Sequence, residues 1–360
     1  MKRLFALICA CLLLCGCTGQ TVDPSGSVSG KITLNIYNWG QYIADGSDGS
    51  LDVIAAFEKK YPNIHVNYST FDSNEVMYTK LASGGITVDL IFPSDYMVAR
   101  LRQEGMLQKL NFDNIPNYKY VDETFKNLAY DPENQYSVPY TWGTVGIIYN
   151  TKYVSEEDVT GWELLWNEKY ADKILMFDNS RDAMAITQYM LGYDVNTTDE
   201  EQLRVCAQKL AEQKPLVQQY VMDQVYDLME NGEAWIAPYY AGDFVQMVQE
   251  NEDLAFYLPE NQGFNLFTDA MCIPTCAKEK EAAELFINFL CEPEISGANM
   301  DWVCYGTPLS AAKAYLDPET ANDPVAYPDS KILENGTAFD YLPPAVSRFV
   351  ESLFLKVRIS

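Results

Sequence analysis

The chain has 360 residues, with 51 acidic side chains against 25 basic ones, a single histidine and a net charge of -26. That length suits about two domains, and 48% hydrophobic with 21% charged residues excludes a mainly disordered chain. The charge makes nucleic acid and anionic membrane surfaces poor partners, because phosphate binding relies on Lys and Arg. The lone His65 excludes multi-His zinc sites and makes His-based acid–base chemistry a poor prospect. What remains is an acidic protein with 25 Tyr, 16 Phe and 6 Trp, a composition suited to a cationic ligand.

Residues 1–16 read as an export signal. Lys2 and Arg3 form a basic start, and Leu4 to Leu14 is an apolar run too short for a bilayer core, which needs about 20 residues. The run ends in Leu14-Cys15-Gly16-Cys17, which resembles the lipobox of bacterial lipoproteins, so Cys17 is the expected lipid-attachment residue. Residues 17–30, rich in Ser, Gly, Thr and Asp, read as a flexible tether. The expected location is therefore the outer face of the cytoplasmic membrane, or its periplasmic side, with a lipid anchor and a folded body free of the bilayer. With the leader removed and Cys17 lipidated, Cys206, Cys272, Cys276, Cys291 and Cys304 remain, an odd set that leaves at least one free thiol and an open pairing pattern.

Along the mature chain, Ile32 to Tyr37 alternates like a strand, and Leu51 to Tyr61 has helical spacing that stops before Pro62. Ile64 to Tyr68 is strand-like, Ser73 caps a helix through Leu81 with Glu75 in its favourable first turn, and Val88 to Phe92 is a short buried strand. Beyond it, Ser137 to Gly143 leads into a strand over Val145 to Tyr149. Leu175 to Phe177 is another, followed by a helix from Ala183 to Leu191 capped by Asn179 or Ser180. Glu201 to Gln213 and Gln218 to Glu230 read as helices, Ala234 to Pro238 and Leu266 to Ile273 as strands, and Glu279 to Leu290 as an amphipathic helix. The alternation predicts an α/β protein with a largely parallel sheet. The elements fall into two sets, 31–141 completed by about 269–313, and 142–268 completed by about 314–360, and strands crossing between them would make a hinged cleft.

Ligands in such sheets bind beyond the carboxyl ends of strands. Aromatic and acidic residues recur together there: Trp39 and Tyr42; Asp95 and Tyr96; Asp178 and Asp182; Tyr239, Tyr240 and Asp243; Phe267 and Asp269. An organic ammonium needs this pairing, an aromatic face for cation–π contact and a carboxylate for a charge-assisted hydrogen bond. No G-x-S-x-G, Walker A or dinucleotide G-x-G-x-x-G run is present. A receptor for some other small solute and a secreted hydrolase working with two carboxylates are the alternatives, but nothing singles out two acids for the latter.

The segments YNWGQY from Tyr37, STFDSNEVMYTKL from Ser69, DLIFPSDY from Asp89, SVPYTWG from Ser137, LGY from Leu191 and INFL from Ile287 carry a resemblance. The chain resembles the spermidine/putrescine-binding proteins that deliver polyamines to ABC transporters, from about Ile32 to Tyr327. The resemblance implies an α/β, two-lobed periplasmic-binding-protein-like type II fold with a hinged inter-lobe cleft. It also implies a monomer without a cofactor or enzyme activity, whose partners are a polyamine and the permease subunits. By the same resemblance Trp39 and Tyr42 wall the ligand, Ser94 and Tyr96 form a polar pair beside Asp95, Asp182 is an acid of the second lobe, and Asp269 holds an amino group. Gln41 stands where many members carry an acid, and Asn179, preceded by Asp178, where some carry Asp. Tyr239 and Phe267 stand where Trp is usual. The loop from Ala44 to Ser50 is longer than usual, and the region of Phe339 offers no match from which to assign a contact. Fewer acids matched in this way leave the choice among spermidine, putrescine and another amine open.

Overall fold

Residues 30–359 are described by the computed structural model. The signal, Cys17 and the tether up to residue 29 lie outside the described residues. The first set forms as the apolar spacing dictates: β1 (Ile32–Trp39), α1 (Val53–Lys60), β2 (Ile64–Phe71), α2 (Asn74–Ala82), β3 (Leu90–Ile91) and α3 (Asp95–Gln103). β1 lies between β2 and β3, parallel to both, with Leu34 and Ile36 wholly buried. Side-chain caps start the helices: Asp52 accepts from the Ala55 amide at 2.8 Å and Ser73 from the Val76 amide at 3.2 Å.

β4 (Ser137–Asn150) is one long strand, buried almost throughout. The chain continues through β5 (Ile174–Phe177), α4 (Ser180–Leu191), α5 (Glu200–Gln213), β6 (Val217–Val221), α6 (Val225–Glu230), β7 (Ile236–Tyr240), α7 (Ala241–Glu250), β8 (Leu254–Tyr257) and β9 (Phe264–Cys272). α8 (Lys280–Leu290), α9 (Pro293–Val303), the short β10 (Gly336–Thr337) and a C-terminal helix Pro344–Ile359 follow. The strand order is β2-β1-β3-β9-β4-β7-β5-β6, with β8 on β4 and β10 on β9.

β4 and β9 are the connecting strands. Cys272 of β9 meets Ile91 of β3 at one end, while Val145 to Tyr149 of β4 pair with β7 at the other. Between them β4 and β9 pair antiparallel, with a register shift between Pro139 and Thr141, where proline has no N–H to give the ladder. The sheet is therefore mixed. The pairs of β1 with β2 and β3, and of β5 with β6 and β7, are parallel as expected, but the crossing strands run against their neighbours.

One expectation fails outright. Gln218 to Glu230 is not one helix: Val217 to Val221 pairs in parallel with β5 as an edge strand, and only α6 is helical. Unfilled backbone hydrogen bonds along β5 outweigh the helix propensity of this glutamine-rich stretch. The core is aromatic where α1 meets α8, with Phe57 4.8 Å from Phe286 and 5.5 Å from Phe289 between ring centres. Cys206, Cys272, Cys291 and Cys304 are buried free thiols and Cys276 is an exposed one. Among the described residues no helix is long and apolar enough to cross a membrane.

Candidate binding cleft

Strand exits from both sets converge on one cavity of about 730 Å³, its mouth included. From the β1 end come Trp39 and Tyr42, whose positions the sheet fixes. The Trp39 indole Nε1 donates to the Phe92 carbonyl at 2.7 Å, tying the exit of β1 to that of β3. Ser94, Asp95 and Tyr96 follow β3, and the start of α2 supplies Asn74, which donates to Ser94 Oγ and Tyr96 Oη, both at 3.1 Å. The Tyr96 hydroxyl in turn donates to Glu75 at 3.0 Å.

Across the cavity, Asn179 caps α4 by accepting from the Asp182 amide at 2.8 Å. Its amide also donates to Asp182 Oδ2 at 2.7 Å, and Tyr240 donates to the same oxygen at 2.9 Å. Tyr239 stacks on Phe177 at 5.4 Å, and Tyr240 meets Phe267 edge-on at 5.6 Å. β9 brings Asp269 to the centre, where the Tyr42 hydroxyl donates to its Oδ2 at 2.8 Å and contacts Thr141. Tyr305 arrives by a different route. α9 ends at Cys304 in the left-handed conformation (φ 63°), and Gly306 then pairs with Trp142 of β4 so closely that a Cβ would enter the indole.

Six carboxyl groups line this space, Glu75, Asp95, Asp182, Asp223, Asp243 and Asp269, with no Lys, Arg or His among the described lining residues. Burial pushes Asp95 up to about 8, aided by the charge of Asp269. Burial likewise pushes Asp269 and Asp243 to about 7 against the pull of their tyrosine partners, and raises Asp182 and Glu75. Asp269 is only 4% exposed and its Oδ1 has no hydrogen-bond partner among the described residues. Arg181 is a buried cation whose charge reaches Asp95, but it does not line the cavity. Its Cζ is 4.4 Å from the centre of the Phe339 ring, and its guanidinium donates to the Val195 carbonyl and Asn196 Oδ1. The cavity thus concentrates negative charge between aromatic faces, an arrangement that attracts a flexible cation with an aliphatic backbone.

Trp39, Tyr42, Ser94, Asp95, Tyr96, Asn179, Asp182, Tyr239, Phe267 and Asp269, all singled out from the sequence, line this one cavity. Two others do not. Asp178 is exposed and forms an ion pair with Arg358 of the C-terminal helix, so its grouping with the cleft acids is corrected. Gln41, exposed and in the left-handed region (φ 49°), faces a neighbouring hollow outside the mouth. The reading missed Glu75, taken only as a first-turn helix charge, and Asp223, Tyr226, Tyr305 and Phe339.

A cleft at strand exits, walled from the two halves of a sheet joined by crossing strands, is the architecture of a two-lobed, periplasmic-binding-protein-like solute receptor. The family model described as "Bacterial extracellular solute-binding protein" matches residues 52–328. The chain belongs to that family. It is 34% identical over 305 residues to the spermidine/putrescine-binding periplasmic protein of Escherichia coli strain K12, covering 84% of this chain and 85% of that one. A solved structure from Listeria monocytogenes is 38% identical with a TM-score of 0.85, covering 91% of this chain and 99% of that one. The Streptococcus pneumoniae spermidine/putrescine ABC transporter substrate-binding protein PotD is 34% identical with a TM-score of 0.74, over 91% and 99% of the two chains.

Proposed function

We propose that this protein captures a polyamine, spermidine or putrescine or both, in its cleft and delivers it to the permease subunits of an ABC importer. The carrying observation is a cavity lined by six carboxyl groups and aromatic rings without one basic side chain. An anion would meet repulsion there, and a neutral sugar would leave buried carboxylates without counter-charge. A polyamine supplies ammonium groups to the acids and methylenes to the aromatic walls, each cation–π contact adding about 0.5–2 kcal/mol. The names of the E. coli and S. pneumoniae relatives support the same ligand class.

In this reading Asp269 and Asp182 hold amino groups from opposite sides, with Tyr42 and Ser94 fixing the first, Asn179 and Tyr240 the second, and Tyr96 beside them on Asn74 and Glu75. Trp39, Tyr239 and Phe267 wall the chain. Residues 31–141 with about 269–313, and 142–268 with about 314–360, close over it as lobes, β4 and β9 serving as the hinge. The protein acts as a monomer, without a cofactor, held at the outer face of the cytoplasmic membrane by a lipid on Cys17. Thermal melting with spermidine, putrescine and a sugar panel tests the ligand class. Polyamines are expected to raise Tm in proportion to the logarithm of concentration once above Kd, and sugars to leave it unchanged. No shift with any polyamine at millimolar concentration would sink the reading.

A further inference from the structure

β9 is a wall with two faces. Successive side chains of a strand point to opposite sides, so Asn265, Phe267 and Asp269 face the cleft while Leu266 and Thr268 line a second hollow behind it. This rear hollow has a volume of about 1670 Å³, its open mouth included. Of its described lining residues, only Asp95 and Phe339 are shared with the cleft.

Its chemistry differs from that of the cleft. Phe125, Tyr130, Trp142 and Phe339 present rings, and Leu128 and Leu266 add aliphatic surface. The Phe125 and Trp142 rings lie 5.9 Å apart, and the Trp142 indole Nε1 donates to the Thr307 carbonyl at 3.2 Å, so this wall is held from outside the hollow. No Lys, Arg or His stands among the described lining residues, and the acids are two. Asp340 is exposed at the rim, whereas Asp95 is buried, 3% exposed. Asp95 accepts from the Tyr96 amide at 2.7 Å and from the Thr268 amide at 3.4 Å, both backbone donors. An ionised carboxylate has about four acceptor positions, so about half of them stay open. One buried acid at the foot of an aromatic hollow suits a ligand with one cationic end and an apolar body.

We propose that the rear hollow is a second ligand site, which takes a primary monoamine with an aromatic or branched apolar body. Its ammonium reaches Asp95, and its body lies against Phe125, Trp142 and Phe339 on the far face of β9 from the cleft. A polyamine is excluded there, because its further ammonium groups would be buried among rings without an acid. The site does not depend on the polyamine reading of the cleft.

Titration calorimetry of the purified protein at pH 8 with 2-phenylethylamine, with and without saturating spermidine, tests this. Saturable one-to-one binding at millimolar concentration or below is expected under both conditions. The uncharged 2-phenylethanol is expected to bind about tenfold more weakly or worse, since it lacks the charge-assisted bond. Ala129→Trp, at an exposed position on the edge of the hollow, is expected to weaken 2-phenylethylamine about tenfold or more by filling the space, and to leave spermidine affinity unchanged. Ala338→Trp, exposed on the segment beside Phe339, decides the matter if the first variant fails to fold. Absence of saturable binding, equal affinity for the alcohol, loss of binding in spermidine, or an affinity untouched by both substitutions overturns the site. If spermidine itself does not bind, the polyamine reading falls, and the substitutions still decide this one.

Discussion

Asp269→Asn is expected to weaken polyamine binding at least tenfold while leaving the unliganded protein no less stable at pH 8. The two effects have one origin. Asp269 is buried, one of its oxygens has no partner, and burial together with the Asp182 charge pushes its carboxyl up to about 7. Holding it ionised in the empty cleft is therefore unfavourable, and asparagine keeps the shape and the Tyr42 contact without the charge. An ammonium reverses the balance, since a hydrogen bond to a charged group contributes about 1.5–3 kcal/mol net, or one to two decades of Kd. Melting curves and titration of the same variant separate the possibilities. Parallel losses of stability and affinity would make Asp269 a structural residue, and unchanged affinity would remove it from the site.

Polyamine affinity is expected to rise with pH, with about one proton released per bound amine near pH 6. Asp269 and Asp243 sit at about 7 and Asp95 at about 8, against an ordinary value of 3.8. Between 3.8 and about 8 the folded, empty protein therefore binds more protons than the unfolded chain. Its stability falls as pH rises through that window and is highest on the acid side of it. An ammonium must displace those protons, so each proton released changes Kd about tenfold per pH unit. The groups that face these acids pull in opposite directions, and burial decides the sum. Asp182, Asp223 and Asp95 add negative charge, while Tyr42, Tyr226 and Tyr305 donate to the ionised forms, and Arg181 behind Phe339 favours an ionised Asp95. Titrations from about pH 5.5 to about pH 8.5 in buffers of unequal ionisation enthalpy read the protons directly. A flat affinity over that range would contradict the account.

Much of the cleft is legible because strand exits are legible. Asn38 to Tyr42, Pro93 to Tyr96 and Asp269 stand at the ends of apolar runs or within them, where the chain has little freedom. What the sequence hides is contact across long separations. Asp178 and Asn179 are adjacent, yet one caps α4 inside the cleft while the other turns outward to Arg358, which lies far along the chain. Asp223 and Tyr226 stand in the stretch read as a single helix, and the break there follows from β6 pairing with β5, a partner no local propensity names. Tyr305 depends on a left-handed residue that is not glycine, Cys304, and on the Gly306 contact with Trp142. Glu75 was visible as an acid, but its first-turn position offered a sufficient reason for it, and only the Tyr96 bond turns it toward the cavity.

The central claim is that charge, and not shape alone, selects the ligand. Putrescine and butane-1,4-diol have nearly the same length and the same methylene chain, and differ in carrying two positive charges or none. Titration calorimetry at pH 8 against both is the most direct measurement. The account predicts saturable binding of the diamine and no detectable binding of the diol at millimolar concentration, because the cleft acids then keep their repulsion. Comparable affinity for the two, or binding of the diol alone, would contradict it.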